Sequence, residues 1–212
     1  MPNTRAVVMR AGSVHHDGRR IGLLGGSFNP AHDGHHYISA MALARLRLDE
    51  VWWLVSPQNP LKPETGMAPL KSRLASAASV ARDRRIRVSD IETELGTRYT
   101  ADSLKAIKTR YPAARFVWLM GADNLVQIPR WRAWTQIFNT IPIAVFARDS
   151  YDSRALSGLA AVRFNRARVP ERAARLLPNS VSPAWAFLRI KPHPATATEL
   201  RRNGRWSVDR ND

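Results

Sequence analysis

RIGLLGGSFNPAHDGHHYISAMALARL, residues 20–46, changes its period halfway along. Residues 20–25, RIGLLG, form a short apolar run closed by glycine, which is how a strand buried on both faces reads. From His35 to Leu46 the apolar residues recur at helical spacing. Between them lies GGSFNPAHDGHH, residues 25–36, a strand-to-helix turn. Gly25 and Gly26 let the backbone turn and approach a ligand with no Cβ in the way. Pro30 stiffens the loop, and His32 and His35 lie three apart with Gly34 between them. His35 falls at the start of the helix, where free N–H groups and the helix dipole favour an anion. An imidazole placed there can donate a hydrogen bond to a phosphate oxygen.

Outward from this stretch the same alternation continues. Strands are predicted over 50–56 (EVWWLVS), 86–91 (IRVSDI), 116–120 (FVWLM), 141–146 and 184–190. Helices are predicted over 70–82, over 100–108 with Thr100 at the N-cap, over 131–138 and over 196–202. The β-α-β-α order argues for a doubly wound α/β fold, a parallel sheet with helices on both faces, in a single domain. Ligands of such sheets bind outside the carboxyl ends of the strands, where every motif singled out here falls. Residues 150–182 are rich in Arg and Pro with weak periodicity, and read as a loop with one short helix. Residues 1–19 read as a loose N-terminal extension ahead of a domain spanning 20–212.

With 212 residues, 44% hydrophobic and 24% charged, the chain is an ordinary globular one, neither disordered nor collagenous. It has no cysteine, which excludes disulfides, thiolate zinc sites, iron–sulfur clusters and Cys nucleophiles. The longest apolar runs, such as 141–147, fall far short of the roughly 20 residues a membrane helix needs. The N-terminus has no apolar stretch of signal-peptide length, so a cytoplasmic protein is expected. The net charge of +16 implies anionic partners, nucleic acid or phosphorylated small molecules. The basic residues are scattered, and residues 151–212 hold 12 Lys/Arg against 5 Asp/Glu, so no dedicated nucleic-acid tail is demanded.

The loop at 25–36 is neither a Walker A loop, since no Gly-Lys-Ser/Thr follows, nor G-x-G-x-x-G. No Glu stands between the histidines as H-E-x-x-H requires, and no carboxylate cluster joins them, so no protein-held metal is expected.

Gly-Gly-x-Phe-x-Pro-x-His-x-Gly-His, as it stands at residues 25–35, resembles the signature of the bacterial nicotinate-nucleotide adenylyltransferases. The His-x-Gly-His core is shared by the wider nucleotidyltransferase superfamily. Asn29 stands where that family more often has Asp. The resemblance extends over about 21–201. It implies a Rossmann-like fold. It also implies that Gly25, Gly26, Ser27, Phe28, His32 and His35 bind ATP. A degenerate form of the family's C-terminal Ser-Ser-Thr-x-Ile-Arg motif stands at 196–201, implying ATP-phosphate contacts from Thr196, Thr198 and Arg201. Asp123, in GADNL, resembles a residue that contacts the ribose hydroxyls or supports the loop. Tyr99 and Thr100, in YTAD, resemble the segment that holds the nicotinate carboxylate, and Trp131 the tryptophan that stacks on the pyridine ring. Lys62 and Arg148 match further residues on the mononucleotide side.

The implied reaction joins ATP to nicotinate mononucleotide. A phosphate nucleophile is already ionised at neutral pH, so no general base and no nucleophilic side chain is required. Catalysis then rests on positioning and charge stabilisation, assigned to His32, His35, Thr198 and Arg201, with Mg²⁺ carried on the ATP phosphates. The alternatives are another adenylyl- or cytidylyltransferase of the superfamily, acting on phosphopantetheine or glycerol phosphate, and a basic nucleic-acid-binding module.

Overall fold

The structure, a computed structural model, describes residues 16–57, 66–148, 151–191, 193–195 and 200. Six parallel strands form one sheet in the order β3-β2-β1-β4-β5-β6. They are β1 (Arg20–Gly26), β2 (Glu50–Val55), β3 (Ile86–Ser89), β4 (Arg115–Gly121), β5 (Ile143–Phe146) and β6 (Trp185–Leu188). All six lie where the sequence predicted strands, β3 by its alternation and the others by apolar runs. Their burial explains why: β2, β5 and β6 are buried at every position. A strand covered on both faces keeps no polar alternation.

The connections are α1 (Asp33–Arg45), α2 (Leu70–Val80), α3 (Ile91–Glu94), α4 (Thr100–Arg110), α5 (Ala122–Gln127), α6 (Trp134–Thr140), α7 (Asp152–Ser157) and α8 (Leu159–Arg163). Leu43 of α1, Ala77 of α2 and Leu177 pack on one face of the sheet, with Trp53 and Phe146. Leu104 of α4, Leu125 of α5, Phe138 of α6 and Ala155 of α7 pack on the other, with Trp52 and Trp118. The fold is thus doubly wound. The strand order reverses between β1 and β4, and the crevice at that switch point is where such sheets take ligands.

Three expectations are corrected. Residues 150–182 hold two short α-helices, α7 and α8, and 3₁₀ turns at Asn165–Ala167 and Glu171–Asn179 rather than a loop with one helix. Gly158, Pro170 and Pro178 cut this stretch into pieces too short for a helical period to show. The helix expected over 131–138 starts at Trp134, because a 3₁₀ turn, Ile128–Arg130, precedes it and Ala133 takes φ 52°. The boundary at residue 19 falls within packed structure. His16 is buried edge-on against Trp52 and Tyr111, Gly18 N–H donates to Ala113 O, and Arg19 pairs with the buried Glu50. Residues 1–15, and the final helix over 196–202 apart from Leu200, lie outside the described residues.

Candidate active site

The GGSFNPAHDGHH segment connects β1 to α1 at the switch point, as its residues required. The reason for its glycines differs from the sequence reading. A Cβ on Gly25 would lie 2.3 Å from the Trp118 ring on β4, so that glycine serves strand packing. Gly26 has room for one. The chain turns instead at Phe28, whose φ is 45°, and at the cis Asn29–Pro30 peptide. Phe28, expected to bind ATP, buries its ring, stacked on Trp53 at 5.1 Å and tilted against His35 at 4.7 Å. Any contact it makes with a nucleotide is through its backbone. Ser27 is buried with its carbonyl turned inward to Arg73.

His32 is the N-cap of α1 and His35 lies in its first turn. The Gly34 N–H donates to His32 Nδ1 and the His32 N–H donates to His35 Nδ1, both at 3.1 Å. The His35 N–H donates to the His32 carbonyl at 2.9 Å. The expectation of bare N–H groups at this helix start is corrected for two of them, since those of Gly34 and His35 are taken by His32. An Nδ1 that accepts carries no proton, so each neutral ring holds its proton on Nε2 and offers that nitrogen as a donor. Burial, with Arg148 and His193 adding to it, brings the His32 imidazole down to about 4. His32 is then neutral at neutral pH. The two rings sit 3.8 Å apart, with Phe28 and Trp53 behind His35.

His193, which the sequence reading missed, stands beside this pair. Its Nδ1 accepts from the Ala195 N–H at 3.2 Å, and its ring lies 5.4 Å from Tyr37 on α1. A Cβ on Gly34 would meet Ala195 O at 2.9 Å and His32 Nδ1 at 2.8 Å. The glycine of His-Asp-Gly-His thus lets the C-terminal segment pass directly over the α1 start. Thr196, Thr198 and Arg201 follow that segment, but they and Lys62 lie outside the described residues.

Across the switch point, Asp123 opens α5 behind β4, and Arg148 follows β5. Their side chains pair at 3.1 Å, Arg148 Nη1 to Asp123 Oδ2. Asp123 Oδ1 is buried and has no hydrogen-bond partner among the described residues. It lies 2.4 Å from where a Gly121 Cβ would be, so a side chain at 121 would displace the Asp123 carboxylate. Arg148, expected on the mononucleotide side, pairs with Asp123 and acts electrostatically on His32.

The remaining expected residues gather at the start of α4, which lies on the opposite face of the sheet from α1. The N-cap is Tyr99, not Thr100, and among the described residues no side chain caps this end. The N–H groups of Thr100, Ala101 and Asp102 are those a helix start leaves without intrahelical partners. Arg132 lies over the Tyr99 ring at 4.6 Å and 3.9 Å from Asp102 Oδ2, which brings the 131–132 turn to the start of α4. The Asp102 carboxylate is exposed and faces that guanidinium. Trp131 is half-buried, while Trp134 takes the ring contacts to Phe138 and Phe164.

Two side chains to which the sequence reading gave no role hold the loops together. Asn29 donates to Gly66 O at 2.8 Å and accepts from the Ala68 N–H at 3.3 Å, using both ends of its amide. A carboxylate could not make the first of these bonds, which accounts for Asn rather than Asp here. Arg73, in the first turn of α2, is 1% exposed and among the described residues donates to backbone carbonyls. An Arg in an Ala-rich helix gives no sequence signal of this role.

A cytidylyltransferase-like family model matches residues 23–203. A probable nicotinate-nucleotide adenylyltransferase from Parvibaculum lavamentivorans is 52% identical over 191 residues, covering 90% of this chain and 95% of its own. One of the same name from Roseobacter denitrificans is 48% identical over 197 residues, covering 93% of this chain and 96% of its own. Among solved structures, Plasmodium falciparum nicotinic acid mononucleotide adenylyltransferase complexed with NaAD superposes with a TM-score of 0.65. That match covers 87% of this chain and 83% of the other at 16% identity, a likeness of fold.

Proposed function

The chain belongs to the cytidylyltransferase-like family and, within it, to the nicotinate-nucleotide adenylyltransferases, and from that premise we propose that it joins ATP and nicotinate mononucleotide into deamido-NAD and pyrophosphate, a step of NAD biosynthesis. One observation carries the reading into chemistry. The carboxyl edge of a single sheet has on one face paired imidazoles with donors at Nε2, and on the other an uncapped helix start. The first suits a polyphosphate and the second a carboxylate.

A phosphate oxygen of the mononucleotide attacks the α-phosphorus of ATP, forming the new P–O bond. The bond from that phosphorus to the β-bridging oxygen breaks, and pyrophosphate leaves with the electron pair. No proton need be removed from the nucleophile. The protein's part is to align the two phosphates and to place donors where charge grows on the α-phosphate and the leaving group. His32 and His35 are the donors proposed for this, with Thr196, Thr198 and Arg201 reaching the same phosphates from the C-terminal segment that crosses Gly34. Magnesium enters as MgATP, riding on the phosphates and keeping most of its waters. Asp123, with one oxygen unpartnered among the described residues and the other fixed by Arg148, is proposed to take a ribose hydroxyl. Tyr99, Thr100 and Trp131 receive the pyridine ring and its carboxylate, and Lys62 is assigned to the same side.

A cytoplasmic enzyme is proposed, since ATP and the mononucleotide are both found there. Among the described residues no helix is long and apolar enough to cross a membrane. The scattered Arg and Lys are read as solvated surface, not as a nucleic-acid site. The test is an assay of the purified protein with MgATP and nicotinate mononucleotide, following pyrophosphate and dinucleotide together. Turnover is expected with this pair. Turnover instead with phosphopantetheine, or with CTP and glycerol phosphate, would overturn the reading.

A further inference from the structure

Two buried ionisable side chains take no part in the chemistry above, and they meet on one residue, Ser56, just past the end of β2. Arg73 reaches it from α2. Its Nε donates to Ala68 O at 2.8 Å, Nη1 to Ser27 O at 2.8 Å and Ser56 O at 2.7 Å, and Nη2 to Pro57 O at 2.8 Å. Burial alone lowers the proton affinity of this guanidinium, with no carboxylate contributing. Glu92, in α3, reaches Ser56 from the other face of the sheet. Its carboxyl is 9% exposed and accepts from the Ser103 hydroxyl at 2.7 Å and from the Ser56 side chain. Burial pushes the Glu92 carboxyl up, and those two hydroxyls hold it down. Ser103 lies in the first turns of α4, and its hydroxyl is also 3.0 Å from Thr97 Oγ1. A continuous buried polar chain, Arg73–Ser56–Glu92–Ser103, therefore runs from α2, round the end of β2, to the start of α4.

Apolar packing could hold these elements together at lower desolvation cost, but it has no direction. Hydrogen bonds to a carboxyl fix both distance and angle. What this chain fixes is the start of α4 relative to the end of β2. We propose that Glu92, braced through Ser56 by Arg73, is a positioning residue for the pyridine half of the site: it sets the orientation in which the Thr100–Asp102 N–H groups meet the mononucleotide carboxylate. This rests on the reaction proposed above. Glu92 touches no reacting atom, so its effect falls on one substrate and spares the other.

The experiment compares wild type, Glu92→Ala, Glu92→Gln and Ser103→Ala, with nicotinate mononucleotide varied at saturating MgATP and then the reverse. Glu92→Ala should raise KM for the mononucleotide about tenfold or more, as expected when two buried hydrogen bonds are lost together. KM for ATP should stay within about twofold. Glu92→Gln keeps an acceptor oxygen for Ser103 and should recover most of the loss. Ser103→Ala, a small change at a helical position, should raise the same KM about fivefold. It carries the test if Glu92→Ala does not fold. Both KM values rising together, or neither moving while the melting temperature falls, would overturn the proposal and leave Glu92 a structural residue. A wild type that makes no dinucleotide from the two substrates sinks the reaction itself. An active wild type whose Glu92 and Ser103 variants lack the split sinks only this inference.

Discussion

Two helices begin at the carboxyl edge of the sheet, on opposite faces, and they end their backbones in opposite ways. α1 is closed by its own histidines: His32 caps Gly34, and His35 caps His32. α4 has no side-chain cap. At α1 the Gly34 and His35 N–H groups are engaged, and the side-chain groups offered outward are imidazole N–H donors held by their Nδ1 bonds. At α4 the backbone N–H groups themselves are the offer. The difference matches two kinds of anion. A triphosphate presents many oxygens over a wide span and needs donors on side chains that reach. A single carboxylate fits the tight spacing of successive N–H groups at a helix start. A capped end can also lose its cap to a proton, whereas backbone N–H groups do not titrate.

The largest expected effect is at α1. His35→Ala removes a preorganised donor and should lower kcat by about 10²–10³ while leaving a native circular dichroism spectrum. It also removes the cap on His32, so His35→Gln is the control, because Gln at that position can cap in the same way. If His35→Gln restored kcat fully, the imidazole would matter only as a cap, and the contrast between the two helices would lose its functional half. Next in size is Gly34→Ala. Its Cβ would push on His32 Nδ1 and on Ala195 O, shifting both a donor and the C-terminal segment. A shift near 1 Å costs about 10² in rate. The expected loss is in kcat/KM for ATP, and an unchanged value would show that the C-terminal segment can move aside freely.

Acid should reach the α1 cap itself, whereas the α4 N–H groups do not titrate. The folded His32 titrates at about 4, below its ordinary 6.5. Between those values the unfolded chain binds the extra proton and the folded one does not. The His32 contribution to stability is thus fully present above 6.5 and lost as pH falls toward 4. The ceiling is about 3 kcal/mol, and partial exposure of the ring reduces it to roughly 1–2 kcal/mol. Denaturant unfolding at pH 7, 6, 5 and 4 measures it. His32→Asn keeps a good N-cap without a titrating group. Its stability should decline less steeply than that of wild type over this range, and parallel curves would mean that His32 is not held neutral.

The strands, the double winding and the place of the His-x-Gly-His turn were legible because buried apolar runs and a glycine-rich break are local signals. What was illegible is long-range. That Gly25 answers to Trp118 depends on β4 lying beside β1. That Arg148 belongs with Asp123 depends on β5 lying beside β4. His193 is an ordinary histidine between prolines until Ala195 is seen against Gly34. The one-residue error at α4 has a local cause. Thr is a common N-cap, but Tyr99, with ψ 138°, is the residue whose backbone is still extended. Phe28 shows the converse, since a motif position says nothing about which way a ring points.

The smallest effect tests the open end. A pyridine carboxylate gains charge-assisted hydrogen bonds from the α4 N–H groups, worth roughly 1.5–3 kcal/mol against about 1 for a neutral carboxamide oxygen. The expected preference for nicotinate over nicotinamide mononucleotide is therefore on the order of tenfold in kcat/KM at saturating MgATP. Asp102 does not cancel it, because its carboxylate is exposed and faces Arg132. Thr100→Pro sharpens the test. Proline is tolerated at the first helical position, Tyr99 before it is already extended, and the substitution deletes one N–H donor without adding a charge. The preference should shrink in this variant while KM for ATP holds. If Thr100→Pro folds and discriminates as wild type does, the carboxylate is read somewhere other than the start of α4, and the contrast between capped and open helix ends has no bearing on substrate choice.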